Sequence, residues 1–146
     1  MSWFRREPRL TREAVAQLEP VFDKWLAKTK AATPEEFAAI SYGVAFGWRM
    51  FLVEFGSTEN FLKQSGTDKA KYNEKLREFH SKMAEAKFDE LVEYGMFLFI
   101  TFYTALWAYS DKMIDAATLN RMSDQLEPFN KKGSALQGLF VPPHTS

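Results

Sequence analysis

The chain contains no cysteine, which excludes disulfides and thiolate metal sites and leaves the redox compartment unreadable. It has no excess of either charge, with 19 Lys and Arg facing 19 Asp and Glu. A nucleic-acid binder would show a basic stripe, and this balance gives it no support. Histidine is scarce: His80 sits in a charged stretch and His144 near the end. Neither a Glu-x-x-His nor a His-x-x-x-His spacing occurs, which argues against di-iron and zinc centres. Gly-rich phosphate loops are missing too, because Gly43 and Gly47 fall inside a helical pattern rather than between a strand and a helix. Asp89, Glu90 and Glu93 are spaced along a helix surface and form no acid–base pair around a substrate. No catalytic constellation is visible, so no enzyme, metal or catalytic cofactor is expected. The opening MSWFRREPRLTR is followed by no apolar run and reads as a basic, solvated start rather than a secretory signal.

Apolar and aromatic mass is present instead, concentrated in two blocks of a chain that is one domain by length. The first, Phe37 to Phe55, reads FAAISYGVAFGWRMFLVEF and carries one charge, Arg49, before Glu54. Ala39, Gly43 and Gly47 recur every fourth position, so they line one helix face as a shallow groove. Glycine costs a helix about 1 kcal/mol relative to alanine. Two on one stripe therefore imply a close neighbour. That neighbour is either a partner's helix in lipid, where small-xxx-small grooves are common, or another helix crossing within a soluble core. The second block, Tyr94 to Ser110, has no ionisable side chain except tyrosine.

Around these blocks the signals are helical. Thr11 caps an amphipathic helix over 11–31 that contains Pro20. Thr33-Pro34-Glu35-Glu36 combines cap, first-turn proline and capping box, which starts the central helix at 34, and Gly56 ends it after 55. A short turn of helix runs to Leu62 and is broken by Gly66. A charged helix spans 68–93, where Tyr72, Leu76, Phe79 and Met83 form the seam of a short coiled coil or of packing within the chain. After the apolar helix at 94–110, a last helix is expected over 116–132, bent by Pro128 and stopped by Gly133. Residues 133–146 read as an extended tail whose Leu139, Phe140 and Val141 can dock.

A helix apolar on all sides lies in a large core or in lipid, and a chain this short has little surface with which to enclose two. Each run of about 17 residues is roughly 25 Å long, a little under the ~30 Å hydrocarbon core. Trp48, Tyr94, Trp107 and Tyr109 suit the interface. The expected fold class is all-α: a helical membrane-associated subunit with one or two short transmembrane helices and long charged or amphipathic helices. The alternative is a soluble all-α bundle acting as a protein-interaction module.

Ile40-Ser41-Tyr42-Gly43-Val44-Ala45-Phe46-Gly47-Trp48-Arg49, followed by the charged helix from Lys71-Tyr72-Asn73-Glu74-Lys75-Leu76 through Ala86-Lys87, resembles subunit e of the mitochondrial ATP synthase membrane sector over residues 36–88. The resemblance implies a non-catalytic accessory subunit of the mitochondrial inner membrane that supports assembly and dimerisation. It implies that Gly43 and Gly47 seat a subunit g-like helix. Arg49, beside Trp48, then becomes the interfacial anchor, in contact with acidic lipid such as cardiolipin. The chain departs from that pattern in the 36 residues before the first apolar helix and in everything from the second block onward.

Overall fold

The computed structural model describes residues 9–87 and 89–140; most of the basic opening and the end of the tail lie outside them. Six helices follow one another: α1 (Arg12–Thr29), α2 (Pro34–Phe55), α3 (Thr58–Leu62), α4 (Gly66–Glu85), α5 (Glu90–Ser110) and α6 (Ala116–Phe140). The described residues contain no strand.

Local chemistry sets most of the ends. The Thr11 hydroxyl accepts from the Ala14 N–H at 3.1 Å. At the start of α2, Thr33 Oγ1 accepts from the Glu36 N–H at 3.2 Å while Glu36 Oε1 accepts from the Thr33 N–H at 2.9 Å. Both orphan donors are thereby satisfied, and Pro34 takes the position where a missing N–H costs nothing. Gly56 ends α2 with φ +80°, in the left-handed region open to glycine.

Three boundaries differ from the expected ones. Gly66 opens α4 instead of breaking a helix, because Ser65 caps it and accepts from the Asp68 N–H at 3.1 Å. The charged helix does not run to residue 93: Lys87 turns the chain with φ +56°, and Asp89 caps a new helix by accepting from the Leu91 N–H. Glu90 and Glu93 therefore belong to the apolar helix, α5. Finally, α6 passes through Pro128 and Gly133 to Phe140, so residues 133–140 are not extended. Gly133 is buried against α2, and tertiary packing of this kind readily outweighs a propensity cost of about 1 kcal/mol. The expected docking of Leu139, Phe140 and Val141 involves side chains outside the described ones.

The elements form one bundle around α5. Helix α2 packs against both α5 and α6, while α1 and α4 cover the remaining flanks of α5. Every residue from Leu98 to Ala108 is consequently buried. The short α3 closes one end by inserting Phe61 among Phe51, Phe55 and Tyr103, with ring centroids 5.1–5.4 Å apart. Among the described residues one helix, α5, is long and apolar enough to cross a membrane by length and composition, and most of it is buried inside the bundle. Enclosure of both apolar helices, expected to be hard for 146 residues, is largely achieved by the chain's own elements because large aromatic rings fill the space between them.

Candidate functional site

The small-residue face of α2 is where the helices come closest. A Cβ built on Gly43 would overlap the Val92 carbonyl of α5 and lie 2.8 Å from the Met96 nitrogen. One built on Gly95 of α5 would overlap the Ile40 carbonyl of α2 and lie 2.9 Å from the Val44 nitrogen. The notches are reciprocal. On the opposite flank, a Cβ on Gly133 of α6 would overlap the Ser41 carbonyl and lie 2.7 Å from the Ala45 Cβ. Residues 40–45 are thus pinched between two backbones. Gly47 meets a side chain instead, the Phe99 ring, at 2.5 Å. Ala39 is half-buried against the core. The groove of Ala39, Gly43 and Gly47 expected to seat a partner's helix therefore holds α5 of the same chain. Gly95 and Gly133 escape a sequence reading: Gly95 has no small residue four positions away, and Gly133 resembles a stop signal.

The two residues expected to anchor at an interface part company. Trp48 is half-buried and packs inward, its centroid 5.3 Å from Phe99 and 5.4 Å from Phe102. Arg49 is exposed beside a shallow cleft of about 390 Å³ shared with Leu52, Val53, Asn130 and Ser134. Leu52 is 49% and Val53 80% exposed, an apolar strip on the outer face of α2 with the Glu54–Lys75 ion pair (3.4 Å) close by.

The seam of α4 turns inward. Tyr72, Leu76 and Met83 are buried, and Phe79 stacks on Phe46 of α2 with centroids 5.4 Å apart. Of the two readings left open for this seam, the structure takes packing within the chain. Lys69 on the same helix is also buried; its ammonium donates to Ser110 Oγ and lies 5.1 Å from the Phe61 centroid. Among the described residues Tyr72 Oη has no hydrogen-bond partner, and burial, aided by the charge of Glu54, pushes its phenol well above the ordinary range.

A second kind of site lies between α1, α4 and α5, in a cleft of about 770 Å³ lined by Trp25, His80, Glu90, Glu93, Tyr94 and Phe97, among others. The Trp25 centroid is 4.7 Å from Tyr94 and 4.6 Å from Phe97. The Tyr94 hydroxyl donates to the Trp25 carbonyl, which ties α1 to α5. Across the cleft His80 Nε2 stands 3.4 Å from Glu93 Oε1. Sequence reasoning placed His80, Glu90 and Glu93 on solvated surfaces. Nothing local signals that Trp25, some seventy residues earlier, packs against the same helix turn.

Midway along α1, Arg121 of α6 pairs with Glu19 and reaches Asp23 at 3.2 Å, beside a groove of about 800 Å³. Among the described residues no group of three or more His, Asp or Glu is placed to hold a metal ion. Comparison with protein-family models, curated proteins and solved structures finds no match.

Proposed function

We propose that the chain is a non-catalytic, all-helical interaction module, a self-contained bundle that works by holding other molecules on its outer surface. One observation carries the reading: the reciprocal contact of Gly43 with the Val92 carbonyl and of Gly95 with the Ile40 carbonyl. It consumes the small-residue faces of both apolar helices inside the chain, so recognition falls to outer features such as the Leu52–Val53 strip. The test is expression and purification without detergent. A monodisperse species with a single cooperative melt is expected; protein recoverable only from membranes with detergent overturns the proposal.

A second reading is favoured by the length and apolarity of α5. In it the chain is an accessory subunit of a mitochondrial inner-membrane complex, ATP synthase subunit e-like, with α2 as its small-residue transmembrane helix and α5 beside it in lipid or against neighbouring subunits. Gly43 and Gly47 are then released to a subunit g-like helix, with Arg49 at the headgroups of a lipid such as cardiolipin. Resistance to carbonate extraction supports this reading, and full release into the soluble fraction rules it out.

A further inference from the structure

We propose that the cleft between α1, α4 and α5 binds a small organic cation, of the quaternary or methylated ammonium type, between the rings of Trp25, Tyr94 and Phe97 and the carboxylates of Glu90 and Glu93. An aromatic face attracts a cation through its quadrupole, most strongly for tryptophan and most of all where water is partly excluded. Here Trp25 stands 4.6–4.7 Å from both partner rings. The wall is set before any ligand arrives, because the Tyr94 hydroxyl is already bonded to the Trp25 carbonyl, and preorganisation lowers the cost of binding. The chain itself uses this indole as a cation seat: the Lys28 ammonium lies 5.2 Å from the Trp25 centroid.

Charge points the same way. Glu90 and Glu93 both line the cleft, where Lys87 is the one lysine or arginine of the lining and Lys28 adds a second cation at the Trp25 ring. Glu93 is shared with His80, whereas Glu90 makes no ion pair among the described residues. Two carboxylates beside three rings disfavour an anion. A metal ion is disfavoured because, among the described residues, no three His, Asp or Glu are placed to hold one together. The space of about 770 Å³ falls within the roughly 300–1,000 Å³ usual for small-molecule sites. This assignment rests on the bundle reading, because the cleft exists only while α5 packs on α1 and α4.

The experiment titrates the full chain with choline and with its neutral isostere 3,3-dimethyl-1-butanol. It follows heat by calorimetry and the Trp25 indole N–H resonance, identified by its loss in Trp25→Leu. Choline is expected to bind saturably and to shift that resonance, with the isostere about tenfold weaker, since the two differ only in the charge the rings and carboxylates recognise. Glu90→Gln, at an exposed position, is expected to weaken choline several-fold while leaving the melting temperature unchanged. Absence of saturable binding overturns the proposal, as does equal affinity for the isostere or choline binding retained in a folded Trp25→Leu variant. Should Trp25→Leu not fold, Glu90→Gln and the isostere decide alone, and choline affinity unchanged in Glu90→Gln counts against the assignment.

Discussion

Gly95 of α5 rests against the carbonyl of Ile40 on α2, so closely that a methyl group there would lie 2.8 Å from the carbonyl carbon and overlap its oxygen. The relationship is returned one helical turn further along, where Gly43 rests against Val92. Backbones meeting this closely cannot admit a side chain unless the helices separate. Gly95→Ala and Gly43→Ala should therefore destabilise the bundle, although alanine improves helix propensity by about 1 kcal/mol. Overpacking of about 1–3 kcal/mol outweighs that gain. Gly47→Ala should cost less, because it meets the Phe99 side chain at 2.5–2.8 Å rather than a backbone carbonyl. Chemical denaturation of the three variants checks the order; equal stabilities would contradict it.

Tyr72 should make stability depend on alkaline pH. Its folded phenol ionises well above the ordinary value, chiefly through burial and secondarily through Glu54. In the unfolded chain it ionises near pH ~10. The neutral phenol's contribution is complete below that pH and is lost as pH rises above it, since only the unfolded state then releases the proton. Tyr72→Phe should flatten this loss. It should also stabilise the protein at pH 7 by up to about 1 kcal/mol, because an unpartnered buried hydroxyl carries a desolvation cost. Thermal melts between pH 7 and 11 test both effects; a Phe variant less stable at pH 7 would show that the hydroxyl has a partner after all.

The two ends of α2 were legible because each is written within a few residues, whereas the equally local caps at Ser65 and Asp89 were hidden in a charged stretch. Thr33 to Glu36 and the stop at Gly56 fix α2 from local hydrogen bonding alone. What could not be read was the destination of each face. Periodicity shows that Gly43 and Gly47 form a groove, but what fills it depends on Gly95, some fifty residues away. The apolar character of α5 likewise fits lipid or core, and the choice rests on whether α1, α2, α4 and α6 surround it. Gly133 was misread for the same reason: its burial against Ser41 is a tertiary fact, and a local signal for helix termination gives way to it. The aromatic cleft combines residues from three helices and has no local signature.

The capping box gives a prediction of known size. Thr33→Ala removes the acceptor for the Glu36 N–H, while the N–H of residue 33 that the Glu36 carboxylate accepts from is kept, so one of the two bonds of the box is lost. A loss of about 1 kcal/mol is expected. It should appear as a lower denaturation midpoint with an unchanged slope, because the cap alters stability and not the surface exposed on unfolding. A loss below about 0.3 kcal/mol would indicate that packing alone sets the start of α2.

Hydrogen exchange separates the bundle from the membrane reading most directly. In detergent-free buffer, amides of α5 from Leu98 to Ala108 should be the slowest in the chain, because four helices cover them and they open only on global unfolding. Amides of α3, a five-residue helix, should exchange much sooner. Added lipid vesicles should leave this order unchanged if the bundle is the working form. Were α2 and α5 to insert into lipid, α1 and α4 would lose the core they cover, and their amides would exchange faster while those of α2 and α5 stayed protected. That asymmetry, protection lost on the covering helices and kept on the apolar pair, distinguishes a change of environment from simple destabilisation, which would speed all four.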